Sequence, residues 1–204
     1  VRVDSNMTTC FEVVSLQLII NPTPIATEPS DYELCDYTGA IGFETFDLTT
    51  TIPQILGSLD PLTHAVTFYT SQAAAELGTG NITSTTSYSS DTQTIYVRVA
   101  IIATGCYDIV PLQLIVNPLP NATQPNYPQY SLCDTTGLVG FETFDLASQI
   151  PSILLGQTGM EVTFYPSLTD AQNNTNSITN LQYPNTILYV QTLGIRITNQ
   201  ATGC

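Results

Sequence analysis

The chain has 204 residues, of which 43% are hydrophobic, the content of a protein with packed cores rather than of a disordered one. Three Lys and Arg face seventeen Asp and Glu, a formal charge of -14, and a chain without clustered cations repels nucleic acid and anionic lipid. No apolar run approaches the length that spans a bilayer, so direct membrane insertion is not expected, and divalent cations are the favoured charged partners.

An internal repeat sets the frame for the elements. VRVDSNMTTCFEVVSLQLIINPTP, from Val1 to Pro24, lies without a gap on VRVAIIATGCYDIVPLQLIVNPLP, from Val97 to Pro120, at an offset of 96 (97 - 1). LCDYTGAIGFETFDL, from Leu34 to Leu48, lies on LCDTTGLVGFETFDL, from Leu132 to Leu146, at an offset of 98 (132 - 34), and VTFY recurs at Val66 and Val162. So long a period suits independently folded modules rather than a solenoid. Residues 1–24 are then the C-terminal strands of a preceding repeat, 25–118 a complete repeat, and 119–204 a repeat lacking its last strand. The chain reads as a window on a longer array.

Within the repeat, FETFDL is a predicted strand. TIPQILG, with Pro53 at its first position, and TSQAAAEL, with Ser71 as its N-cap, each predict a helical turn. AVTFYT is a further strand. In TIYVRV, Ile95, Val97 and Val99 alternate with Thr94, Tyr96 and Arg98, the period of a half-buried strand. In PLQLIVNP, Leu112, Leu114 and Val116 repeat the alternation. Around seven short strands in ~95 residues predict an all-β fold of tandem immunoglobulin-like sandwiches. The NPTP and NPLP segments make short, semi-rigid linkers, because proline fixes φ and extends the residue before it. In the second copy Tyr189 to Cys204 spans fifteen positions (204 - 189) where Tyr96 to Cys106 spans ten (106 - 96), which predicts about five extra residues near YVQTLGIRIT.

Five cysteines leave one unpaired. If the first strand of a sandwich begins at the pole of its last hairpin loop, Cys35 pairs with Cys106 and Cys133 with Cys204, and Cys10 is unpaired in this window. The rival scheme joins Cys10 to Cys35 and Cys106 to Cys133. A bridge across a ~70-residue loop contributes roughly 4 kcal/mol in the chain-entropy account and implies an oxidising compartment.

Each repeat also carries an acidic set: Asp36, Glu44 and Asp47 in one, Asp134, Glu142 and Asp145 in the other. Three carboxylates with backbone carbonyls suit calcium, while the same residues serve equally to accept N–H bonds in turns. The D-x-D-x-D-G order of a strong calcium loop is missing. His64 is single and unrepeated, so it completes neither a zinc site nor a catalytic triad, and it reads as a loop residue beside the Asp60-Pro61 turn. No catalytic constellation recurs, and an enzyme is not expected. Tyr69, Tyr88, Tyr96 and Tyr107 read as strand surface or core, with a sugar-binding platform as the alternative.

The order and period of LCD...GFETFDLT, VTFY, TQTIYVRV, TGCYD and LQLIVNPLP resemble the repeats of very large cell-surface proteins of Bacteroidota, the SprB-like gliding-motility adhesins exported by type IX secretion. The resemblance covers nearly the whole chain. It implies an extracellular, outer-membrane-associated filament that attaches cells to polysaccharide or abiotic surfaces and works with the secretion and motility apparatus and with neighbouring repeats. Many copies of that family carry an Asp-Gly pair between the CD and FDL elements, where this chain has Ala40-Ile41-Gly42 and Leu138-Val139-Gly140. The reading of a different class is a glycan-binding or spacer module of a secreted multidomain protein.

Overall fold

A computed structural model describes residues 1–4, 6–8, 10–121, 130–135 and 137–204. The described chain is β-rich with short helices, and none of its helices is long and apolar enough to cross a membrane. It divides into two compact units, one of Val1–Tyr32 with Thr45–Ile115, the other of Glu33–Glu44 with Val116–Cys204.

The first elements in chain order are β1 (Arg2–Asp4), β2 (Phe11–Val13), β3 (Tyr32–Cys35), β4 (Glu44–Phe46), α1 (Ile52–Leu56), β5 (His64–Tyr69), α2 (Gln72–Leu77), β6 (Tyr88–Ser90), β7 (Gln93–Ile101) and β8 (Tyr107–Asn117). Strands β3, β8, β7 and β5 form one sheet in that order, and β4 pairs with β6. The four-stranded sheet turns apolar side chains inward, as a layer of a β-sandwich does, while β4 and β6 bury Phe46 together with the polar Glu44 and Ser90. The alternation read in β7 is the burial pattern: Ile95, Val97 and Val99 are fully buried between less buried neighbours. Across the sheet Val97 faces Val110 of β8 and Phe68 of β5, Ile95 faces Leu112, and Val99 faces Val66 of β5 and Asp108 of β8. Burying a side chain of this size contributes ~1.5–3 kcal/mol.

The helical turns form where expected. Pro53 occupies the first turn of α1, where a missing N–H costs nothing. The Ser71 hydroxyl accepts the Ala74 N–H at 3.2 Å, and α2 ends on Gly78 in the left-handed region at φ 67°. His64 opens β5 rather than lying in a loop, with Nδ1 3.0 Å from the Asp60 carbonyl.

The second unit repeats these elements as β9 (Thr143–Asp145), α3 (Ile150–Leu154), β10 (Met160–Tyr165), α4 (Leu168–Asn173), β11 (Gln182–Pro184) and β12 (Gly194–Asn199). Strand β10 pairs with β12 and β9 with β11, around a core of Leu146, Ile153 and Phe164 with Val162, Ile178, Leu193 and Ile197 packed on it. Tyr165 faces Gly194 as Tyr69 faces Tyr96. The position of Tyr96 is therefore held by Gly194, not Tyr189, which corrects the sequence expectation. The extra residues lie in the loop Asn185 to Leu193, where only Asp91 and Thr92 separate β6 from β7, and the strand after them is intact. Gly194 is required by packing, since a Cβ there would stand 2.3 Å from the Ser167 carbonyl oxygen.

The short hairpin of β1 and β2 copies that of β7 and β8. Arg2 faces Val13, Val3 faces Glu12 and Asp4 faces Phe11, the register of Arg98, Val99 and Ala100 with Ile109, Asp108 and Tyr107 shifted by 96 (98 - 2).

Candidate functional site

The disulfide joins Cys35 to Cys204, with 5.6 Å between Cα atoms and 169 residues of sequence between them, and Cys10, Cys106 and Cys133 are free. This corrects the expected pairs Cys35 with Cys106 and Cys133 with Cys204. The reason lies in which end of β3 carries its cysteine. Cys35 is the last residue of β3, and the next residue, Asp36, donates its N–H to the carbonyl of Asn117, the last residue of β8, at 2.9 Å. Cys106 precedes the first residue of β8, eleven residues earlier (117 - 106). At ~3.3 Å per strand residue that is roughly 36 Å, whereas a disulfide needs Cα atoms within ~7 Å. Cys35, Asn117 and Cys204 all belong to the second unit.

The acidic residues flanking each LCD cysteine hold its loop. Glu44, 7% exposed, accepts the N–H of Tyr37 at 2.5 Å, the N–H of Thr38 at 2.6 Å and the Thr38 hydroxyl at 2.7 Å. Asp36 accepts the Gly42 N–H at 2.9 Å. The second copy does the same: Glu142 accepts the Thr135 N–H, and Asp134 accepts the Gly140 N–H at 3.0 Å. Gly42 and Gly140 both sit near φ +80°, a conformation that favours glycine and aims the N–H into the loop. Asp47 instead caps the following turn, accepting the Thr49 N–H at 3.0 Å and its hydroxyl at 2.5 Å. Its counterpart Asp145 is different, because Ala147 replaces Thr49 and no hydroxyl is supplied. Asp145 Oδ1 is buried without a hydrogen-bond partner among the described residues. Among the described residues no three His, Cys, Asp or Glu side chains converge as a metal site would require. Of the six carboxylates expected as calcium ligands, Asp36, Glu44, Asp47, Asp134 and Glu142 are arranged as loop and turn acceptors, and Asp145 is not.

One functional position escaped sequence reasoning. The chain's three cationic residues, Arg2, Arg98 and Arg196, occupy one repeat position. Arg98 lies over the Tyr107 ring at 3.6 Å and donates to the carbonyls of Ala75 and Glu76, at 2.7 and 2.9 Å, at the end of α2. Arg196 reaches the Ala171 carbonyl of α4 at 3.4 Å. Arg2 lies over Phe11 at 4.1 Å and pairs with Asp4. The guanidinium satisfies carbonyls that a helix end leaves open, and its charge suits the negative end of the helix. The signal was available: a chain almost devoid of cations places each of them in the same phase.

A second repeated clasp pairs Tyr32 with Phe46 and Tyr130 with Phe144, edge to face at 5.1 and 5.2 Å. Tyr69 is buried core, and Tyr107 is covered by Arg98.

No curated protein and no solved structure matches the chain. A family described as the Flavobacterium inter-domain disulphide bond domain matches residues 31–120 and again residues 129–204. The bond from Cys35 in the first matched segment to Cys204 in the second is of the kind that description names. The chain belongs to the family of Flavobacterium inter-domain disulphide bond domains, of which it carries two copies.

Proposed function

We propose that the chain is a covalently braced stretch of an extracellular tandem-repeat stalk, mechanical rather than catalytic, which serves surface attachment and gliding in a Bacteroidota cell. The observation that carries this reading is the bridge from Cys35 to Cys204, which fastens one family copy to the next. A tie between repeats resists pulling and persists in an oxidising compartment. Resemblance to the repeats of type IX-exported, SprB-like adhesins supplies the cellular setting and the partners, polysaccharide or abiotic surfaces together with the motility apparatus.

Continuity of the array is supported by the amino-terminal hairpin. Val1, Val3, Leu16 and Leu18 are 65–85% exposed, while their repeat counterparts Val97, Val99, Leu112 and Leu114 are buried to 1% or less. A hairpin with this register and an uncovered apolar face is the last hairpin of an immunoglobulin-like repeat whose remaining strands come from sequence before it. An antibody to residues 31–204, applied to living cells, is expected to decorate the cell surface and to block attachment to glass or agar. Staining that requires cell lysis would refute the proposal.

A further inference from the structure

In the second copy a segment with no counterpart in the first stands against the loop of residues 137–142. Where only Asp91 and Thr92 join β6 to β7, Asn185 to Leu193 join β11 to β12. The segment is fastened by its backbone: the Tyr189 N–H donates to the Gly140 carbonyl, and the Asn185 N–H to the Glu142 carbonyl, both at 3.1 Å. Leu188 and Tyr189 crowd Gly140, where an added Cβ would stand 2.6 Å and 3.2 Å from their side chains. The two loops thus share one surface. Its large apolar side chains, Leu138, Val139, Ile187, Leu188, Tyr189 and Val190, are 50–78% exposed.

We infer that this surface is an adhesive contact for an apolar, uncharged solid, hydrocarbon-like in its chemistry. It rests on the reading of the chain as an attachment protein, and it adds the place of the grip and the chemistry of what is gripped. Contiguous exposed apolar side chains of this number mark interaction sites, whereas apolar residues scattered singly over a surface do not.

The segment inverts the usual polarity of a loop, holding polar side chains in its own fabric and leaving apolar ones in water. The Asn185 amide donates to the carbonyls of Gly140 and Ile187 at 2.9 and 2.8 Å, and its oxygen accepts the Glu142 N–H at 2.7 Å. Gln191 accepts the Thr186 N–H at 2.7 Å and donates to the Tyr183 hydroxyl at 2.9 Å. Between these two struts the Val190 N–H closes on the Leu188 carbonyl at 2.8 Å, a three-residue turn centred on Tyr189 at φ 62°. That left-handed backbone is unfavourable for a residue with a Cβ, and the turn is a strained one. The strain is borne where the chain leaves a tyrosine 66% exposed.

Charge selects the occupant. Residues 171–195 contain no charged side chain, in a chain of formal charge -14. The acids that flank residues 135–141, Asp134 and Glu142, already accept the N–H groups of Gly140 and Thr135. A charged partner therefore meets no opposite charge on this surface. A second copy of the chain brings the same excess of acid and is repelled. A following repeat has no need of the segment, because the equivalent loop of the first copy is bonded to Cys204 without one. A polysaccharide calls for free donors and acceptors beside a ring, and both N–H donors of Asn185 are engaged within the fold. What the surface offers is apolar area, which gains from leaving water against hydrocarbon and needs no polar pairing.

The whole chain, adsorbed on a methyl-terminated and on a hydroxyl-terminated monolayer, both uncharged, is treated with a tyrosine-nitrating reagent and its peptides are weighed. Tyr37 and Tyr189 are each 66% exposed and serve as matched reporters. On the methyl surface Tyr189 is expected to be protected while Tyr37 is modified. Equal modification of the two in the adsorbed chain overturns the site and leaves the attachment reading standing. The double variant Tyr189→Asn with Val190→Ser, whose asparagine tolerates the left-handed backbone, is expected to lose affinity for the methyl surface by about tenfold or more. Ile41→Asn, at the first copy's equivalent of Val139 (139 - 41 = 98) and 95% exposed, is expected to leave it unchanged. Retention on agarose beads or on neutral phosphatidylcholine vesicles in preference to the methyl surface, lost in the double variant, overturns the inference in favour of a glycan or a lipid. Self-association in sedimentation that the double variant abolishes overturns it in favour of a second copy. A chain that adheres to none of these surfaces overturns attachment and site together.

Discussion

The guanidinium of Arg98 lies 3.6 Å from the centre of the Tyr107 ring, across the turn of its hairpin, while its Nη1 donates to the last carbonyls of α2. One side chain thereby fastens the hairpin to the helix. A partly buried cation–π contact contributes ~1 kcal/mol and hydrogen bonds from a charged group ~1.5–3 kcal/mol. Arg98→Ala is therefore expected to lower stability by about 3 kcal/mol, read as a reduced urea midpoint at an unchanged slope. Arg98→Lys keeps the charge but loses the planar fork, and should recover less than half of the loss.

The carboxylate of Glu44 anchors the loop after Cys35 with three hydrogen bonds. Glu44→Ala leaves two loop N–H groups without their acceptor, an expected cost of about 2 kcal/mol. Amide exchange at Tyr37 and Thr38 should rise before that of β7. Because the acids already serve as acceptors, calcium and chelator are expected to leave the melting temperature unchanged. An upward shift on adding calcium would show a native-state site.

At Asp145 the two copies differ by one hydroxyl. Thr49 donates twice to Asp47, while Ala147 leaves Asp145 Oδ1 buried and unpartnered among the described residues. Ala147→Thr is expected to stabilise the protein by about 1 kcal/mol, the worth of a hydrogen bond to a charged acceptor less the ordering of the side chain. A thermal scan of this single variant against the parent measures it.

The acid limb of the stability profile should register Asp170. Hydrogen bonds from Ser167 first, then Asn176, hold its carboxyl below the ordinary carboxylate value, while partial desolvation opposes them. A lowered folded value means that the unfolded chain takes up the proton first as pH falls. The contribution is thus whole above the ordinary carboxylate range and lost as pH drops through the lowered folded value. Asp170→Asn is expected to reduce stability at neutral pH and to converge with the parent in acid, followed by denaturant midpoints across pH.

Much of the fold was legible because it rests on local periodicity. Ile95, Val97 and Val99 announced β7 by alternation, Ser71 announced a helix start, and the repeat announced equivalent elements. The disulfide partner was not legible in that way. It depends on whether Cys35 stands at the beginning or end of β3, a matter of one strand's length that no periodicity encodes. Tyr189 misled for a related reason. A Tyr-Val pair imitates the strand signature of Tyr96 and Val97, but the residue that faces Tyr165 must be small enough to pass the Ser167 backbone, and only Gly194 is. The arginines were visible and were read as a deficit of charge, when their common phase was the information.

That phase also governs how such molecules meet one another. The chain has three cations for seventeen acids, and its cations are committed to its own hairpins, helix ends and Asp4. Exposed carboxylates such as Glu12, Glu28, Asp31 and Glu33 face water with no lysine in the sequence to answer them. Neighbouring molecules of this composition repel across a screening length of ~8 Å at physiological salt. They stay apart as hydrated polyanions instead of bundling side by side, and rising ionic strength brings them together.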